Sequence, residues 1–119
     1  MIWGIVGAGL GGLGVALGAF GAHALKERLS PAQAEWFATG VQYHFVHALA
    51  LLAAVALDRA GFASALRAAP WFAVGVVLFS GSLYAMALGG PTKLGMVTPL
   101  GGVAFLAGWA LLAWSLRAA

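Results

Sequence analysis

Apolar residues run through this sequence in four long blocks, and the charged residues are confined to the gaps between them. The first block, Ile2–Leu25, carries no charge. A helix needs about 20 apolar residues to cross a hydrocarbon core about 30 Å thick, and this block meets that length. Lys26-Glu27-Arg28 interrupts it, and Ser30-Pro31-Ala32-Gln33 then reads as a helix start. Serine is the cap, proline takes the first helical position, and Gln33 closes a capping box. The second helix runs to Leu57, with an interfacial turn or two before Trp36-Phe37, and Asp58-Arg59 and Gly61 end it. A short loop containing Arg67 leads to Pro70, which opens a third run that stops at Gly89-Gly90-Pro91, because proline cannot continue a helix. Thr98-Pro99 repeats the cap-plus-proline start, and the last span reaches Leu116 before Arg117. The pattern predicts an all-α single membrane domain, a four-transmembrane-helix up-and-down bundle. Its helices cover about 2–25, 31–57, 70–89 and 99–116, with both termini on one side.

Composition makes lipid the required solvent. Of 119 residues, 63% are hydrophobic and 8% charged, with a mean hydropathy of +0.99. Soluble domains average about 45–50% apolar and about 25% charged. Six basic and three acidic side chains cannot clothe the large relative surface of so small a protein. The net charge of +3 rests on few groups split by apolar spans, so there is no basic stripe for nucleic acid. Cysteine is absent, which removes disulfides and thiolate chemistry. Trp3, Trp71 and Trp114 are expected at one membrane face and Trp36 at the other, as an aromatic belt. Orientation is not fixed: Lys26, Arg28 and Lys93 on one side balance Arg59, Arg67 and Arg117 on the other. Ala22-His23-Ala24 has the look of a cleavage site, but the segment lacks a basic leader and is too long for an apolar signal core. It is expected to be a retained span.

The first span carries Gly4, Gly7, Gly11, Gly14, Gly18 and Gly21, spaced alternately by three and four residues. A seam without side chains lets another helix approach to backbone contact, where close packing and Cα–H···O contacts hold the pair. Tight packing within the chain is the plain expectation, and a homo-oligomer or a larger membrane complex is the alternative. Gly75, Ser82, Ala85 and Gly89 offer a similar face on helix 3, and Gly101, Ala104 and Gly108 on helix 4.

Histidine inside a span is costly and marks a candidate site. Helix 2 carries His44 and His47 one turn apart, with Tyr43 at four-residue spacing from His47. A rise of about 1.5 Å per residue places His47 near the midplane, level with Ser80 and Ser82. Tyr84 lies one turn beyond Ser80. A polar layer of Tyr43, His44, His47, Ser80, Ser82 and Tyr84 is therefore expected, opening towards the membrane face where helix 1 ends at His23. Helix 4 reads as mainly structural. Three uses of the layer compete: interhelical hydrogen bonding, a small-ligand, proton or ion path, and metal or haem ligation. The last has little behind it, since no intramembrane carboxylate or thiolate accompanies the histidines. No cofactor is called for, and no G-x-S-x-G, H-E-x-x-H or phosphate loop is present. A non-enzymatic binding or accessory subunit is the expectation, with a small transporter or channel subunit as the alternative.

Gly18-Ala19-Phe20-Gly21-Ala22-His23-Ala24-Leu25-Lys26 resembles a motif of the YgdD-like family of small, uncharacterised bacterial inner-membrane proteins, whose eukaryotic relatives are called transmembrane protein 256. Three further segments agree in order: Tyr43 to Leu52, Phe79-Ser80-Gly81-Ser82-Leu83-Tyr84, and Thr98-Pro99-Leu100-Gly101-Gly102 leading to Gly108-Trp109. The resemblance implies a multi-pass protein of the bacterial cell membrane. It also implies that His23, Tyr43, His47, Ser80, Ser82 and Tyr84 hold characteristic positions. His44 departs from the pattern, since many members have glutamine there, so the resemblance favours His47 over the two-histidine pair.

Overall fold

The computed structural model describes residues 1–117. Among them are four helices of membrane length: α1 (Ile2–His23), α2 (Pro31–Arg59), α3 (Ala63–Ala87) and α4 (Thr92–Leu116). The α2 start forms as its sequence requires. Ser30 Oγ accepts from the Gln33 amide at 3.2 Å, and Gln33 Oε1 accepts from the Ser30 amide at 2.9 Å. Gly61 and Gly89 follow the ends of α2 and α3 with φ of +110° and +102°, a left-handed conformation that glycine adopts without steric cost. Gly89 is thus a helix stop and not part of the small packing face.

The third helix departs most from its sequence reading. Ala63–Ala68, expected as a loop, winds as a 3-10 helix into the α-helical segment that follows, and Ala65, Ala68 and Ala69 are fully buried. Small side chains let this tight turn lie against both α2 and α4. Further on, Val76–Ser80 opens into a π-helical turn, a local widening that is rare within α-helices. The fourth helix also begins early, with a 3-10 turn at Thr92–Met96. Thr98 does not cap the α-helix that follows; its hydroxyl pairs with Ser82 Oγ instead.

The chain order is the packing order: α1 lies along α2, and α3 sits between α2 and α4. Two apolar clusters close the bundle. One joins Leu51, Ala54, Ala68, Phe72 and Leu112 with Trp3, Val6 and Leu10. It draws together the start of α1, the end of α2, the start of α3 and the end of α4, as up-and-down topology requires. The other, around Leu25, Phe37 and Ala87, closes the opposite end.

The glycines of α1 pack against α2, but by a different device from backbone contact. Large α2 side chains fill the notches: a Cβ at Gly7 would lie 2.9 Å from Leu52, one at Gly14 3.1 Å from Phe45, and one at Gly18 3.5 Å from Val41. Phe37 occupies Gly21 and Val55 reaches Gly4, whereas Gly11 faces open space and drops out of the seam. The closest backbone approach lies elsewhere. At Gly101 of α4, a Cβ would fall 2.7 Å from Phe79 Cα, on the π-helical turn of α3. Gly75 receives Phe105 and Gly108 receives Phe72, so α3 and α4 exchange phenylalanines into each other's glycines.

Candidate functional site

Each buried histidine is tied to a different neighbour. His44 is 1% exposed. Its Nε2 lies 2.7 Å from the Leu10 carbonyl of α1, and its Nδ1 lies 2.8 Å from the Tyr84 hydroxyl of α3. A carbonyl only accepts, so Nε2 carries the proton, and Nδ1 accepts from Tyr84. The ring thereby links three helices. One glycine makes room for it: Gly40 lets the Tyr84 ring lie against α2, where a Cβ would stand 2.8 Å from Tyr84 Cε1. The Gly40 carbonyl in turn accepts from Ser80 Oγ at 2.7 Å.

His47 adopts the opposite arrangement. Its Nδ1 donates to the Tyr43 carbonyl at 2.7 Å, and its Nε2 accepts from Trp109 Nε1 at 3.0 Å. Indole has only a donor, which fixes His47 as the neutral Nδ1–H tautomer. The ring lies flat on Phe105, with centroids 3.5 Å apart and planes 8° from parallel; Trp109 meets it edge-on and Phe72 at a tilt of 49°. Tyr43 stacks in the same orientation at 6.0 Å.

The single expected layer is therefore two clusters. Ser80 belongs with His44 and Tyr84 through Gly40, while Ser82 turns to α4 and bonds Thr98 and the Phe79 carbonyl. Neither serine reaches His47. The two imidazoles point to different helices and cannot share a ligand ion. His23, the last residue of α1, is exposed and joins neither cluster. Tyr43 is 40% exposed at the bundle surface.

Trp109 is the residue that sequence reasoning overlooked, and α4 is accordingly more than a structural helix. A signal was present. Belt tryptophans lie at span ends, whereas Trp109 lies mid-span, where an indole N–H needs a buried acceptor. The Leu10 carbonyl could not be foreseen, because a main-chain acceptor leaves no mark in the sequence.

Beside His47 the surface opens into a lateral groove of about 570 Å³ between α2 and α4. Tyr43, Phe79, Phe105 and Trp109 wall it, and Gly102 and Val103 form its α4 edge. A second cleft of about 380 Å³ lies between α1 and α2 near the Lys26 end.

Comparison with known proteins places this architecture. Residues 17–102 match the family model described as "Protein of unknown function (DUF423)". The chain is 47% identical over 106 residues to the UPF0382 inner membrane protein YgdD of Escherichia coli (strain K12), covering 82% of this chain and 76% of that protein. It is 43% identical over 102 residues to the UPF0382 membrane protein YwdK of Bacillus subtilis (strain 168), covering 84% and 83%. A relative in Haemophilus influenzae (strain ATCC 51907 / DSM 11121 / KW20 / Rd), also a UPF0382 membrane protein, is 42% identical over 101 residues, covering 84% of this chain and 81% of the relative. No solved structure matches. The chain is an integral, multi-pass membrane protein, and it belongs to the DUF423 family.

Proposed function

We propose that this protein is a non-enzymatic binding subunit whose ligand enters sideways from the bilayer into the groove between α2 and α4. The observation that carries this reading is the groove itself, about 570 Å³ in volume with an aromatic wall and His47 in its lining. That size is within the range of about 300–1,000 Å³ typical of small-molecule sites. The wall suits a planar ring, which would lie along the nearly parallel faces of Tyr43 and Phe105, 17° apart. The half-exposed Tyr43 supplies a hydroxyl at the rim for one carbonyl or hydroxyl of the ligand. A ring-bearing, carbonyl-containing amphiphile of the quinone type has that chemistry.

Several features favour binding over catalysis. Both nitrogens of His47 are engaged, and the Ser80 and Ser82 hydroxyls donate to main-chain carbonyls. Glu27, Glu35 and Asp58 lie towards the ends of the spans. The alternative, a transporter or channel subunit assembled through the α1 glycine seam, has less support, because α2 side chains fill that seam. Association with a second copy or a larger membrane complex would use the outward side of α1 instead.

The test is a titration of the reconstituted protein with decyl-ubiquinone, followed by quenching of tryptophan emission. Gly102→Leu fills the groove without disturbing the bundle, because a Cβ there meets nothing within 4 Å. Saturable quenching in the natural sequence, lost in Gly102→Leu and weakened in Tyr43→Phe, is expected. Quenching that is non-saturable, or unchanged in Gly102→Leu, refutes the reading.

A further inference from the structure

The lipid-facing side of α2 carries one side chain that its surroundings do not explain. Between Ala38 and Ala56 the exposed residues of this helix, apart from Tyr43 in the groove, form a single ridge: Ala38, Gln42, Val46, Leu49, Ala53 and Ala56. From Gln42 onward the spacing alternates four and three, which keeps the row on one side of the helix and suits a left-handed helix pair. All but one of these side chains are aliphatic, as a surface against acyl chains requires. Gln42 is the exception. It lies five residues beyond Phe37, roughly 7 Å inside the hydrocarbon at about 1.5 Å per residue. Its amide has no hydrogen-bond partner among the described residues.

The Thr39 and Tyr43 hydroxyls are also without partners, but each has an outlet that Gln42 lacks. A helical threonine turns its hydroxyl to the carbonyl four residues back, and Tyr43 opens on the groove beside α4. The Gln42 amide, with two donors and an acceptor, faces lipid tails that offer it nothing. A second copy of the chain does. Two copies inserted the same way are related by a two-fold axis along the membrane normal, and a residue near that axis meets its own counterpart at its own depth. Gln42 then faces Gln42, and each amide donates to the carbonyl of the other. Any other partner would need a polar group at that one depth, whereas a second copy has it by symmetry. Ala53 and Ala56 let the two α2 helices approach closely further along the ridge. Ala22 lines the same cleft as Ala38 and Gln42, so the contact continues onto the outward side of α1. Glu35, one heptad before Gln42, lies outside the hydrocarbon, where water and salt screen it from its counterpart.

We infer that the protein forms a two-fold homodimer through the lipid-facing ridge of α2, with a reciprocal Gln42–Gln42 amide pair inside the membrane. The inference does not rest on the ligand proposed for the groove beside His47. Because the chain has no cysteine, single introduced cysteines report on it. Ala60→Cys, exposed just beyond the end of α2, carries a donor or an acceptor dye. Energy transfer is then followed as the labelled protein is diluted with lipid in dioleoylphosphatidylcholine vesicles. Transfer should fall on dilution as a monomer–dimer equilibrium requires. Gln42→Leu should raise the dissociation constant about eightfold, the weight of two average polar contacts between membrane helices. Ala53→Trp, which blocks close approach, should abolish transfer, and Gly102→Leu on α4 should leave it unchanged. In unlabelled protein, oxidation should cross-link Leu49→Cys and not Val77→Cys, a comparably exposed position on α3. Far-UV circular dichroism of each variant separates lost association from lost folding. Transfer no greater than random proximity gives, a dimer that Gln42→Leu does not weaken, or cross-linking of Val77→Cys in place of Leu49→Cys overturns the proposal.

Discussion

Replacing Trp109 by phenylalanine isolates the bond that joins α4 to α2. Phenylalanine retains much of the ring that packs edge-on to Phe72, whose centroid is 5.2 Å away. What it loses is the N–H, and His47 Nε2 is then left as a buried acceptor in a residue only 4% exposed. An orphaned polar group costs about 1–3 kcal/mol in soluble proteins. Polar pairs between membrane helices average about 0.6 kcal/mol and reach about 1.7, because the unfolded helices also find partners. The aromatic groove beside His47 opens only to hydrocarbon, which offers no substitute partner, so the upper part of the membrane range applies, about 1–1.5 kcal/mol. The assay is unfolding by sodium dodecyl sulfate in mixed micelles, followed by far-UV circular dichroism, on a double-mutant cycle of Trp109→Phe and His47→Phe. The second change retains a ring to stack on Phe105. Once His47 is absent, Trp109→Phe should lose most of its cost. A coupling energy below about 0.3 kcal/mol, the usual additivity error, would refute the assignment of this bond as a helix tie.

Other positions separate into sensitive and tolerant pairs. Gly101→Ala should destabilise the bundle by about 1–3 kcal/mol as an overpacked site, since the new methyl meets Phe79 main chain, whereas Gly102→Ala should be neutral. In α1 the same micelle unfolding should show Gly21→Ala and Gly7→Ala as destabilising and Gly11→Ala as silent, because only the first two notches are filled. His44→Gln should keep most of the stability, since an amide can donate to the Leu10 carbonyl and accept from Tyr84. His44→Leu should lose both bonds, at about 0.6 kcal/mol or more each, and equal costs for the two variants would refute the donor–acceptor role. Ser80→Ala should cost about 1 kcal/mol or less, with the π-helical turn next to it exchanging amide hydrogens faster.

The topology was legible because its causes are local. Span length, the Ser30–Gln33 capping box and the glycine stops at Gly61 and Gly89 are each written in a few consecutive residues. The depth of His44 and His47 was legible too, since helical rise alone sets it. Their partners were not. Residues three apart on one helix point about 60° apart in azimuth, and that angle is enough to send His44 to α1 and α3 while His47 turns to α4. The same limit applies to Ser80 and Ser82, two residues apart, which face α2 and α4. The 3-10 turn of Ala63–Ala68 looked like a loop because Arg67 suggested solvent. Ala65 and Ala68 are buried only because two other helices converge there.

The direction of the two histidine hydrogen-bond chains has a consequence for charge movement. One chain passes from the Tyr84 hydroxyl through His44 to the carbonyl of Leu10, and the other from the Trp109 indole through His47 to the carbonyl of Tyr43. A proton can hop along such a chain only if every member can take one up on one side and release one on the other. A main-chain carbonyl has no hydrogen to release, and an indole has no lone pair with which to be refilled. Both chains are terminated wires: they hold α1 and α4 to the centre of the bundle, and they stop there.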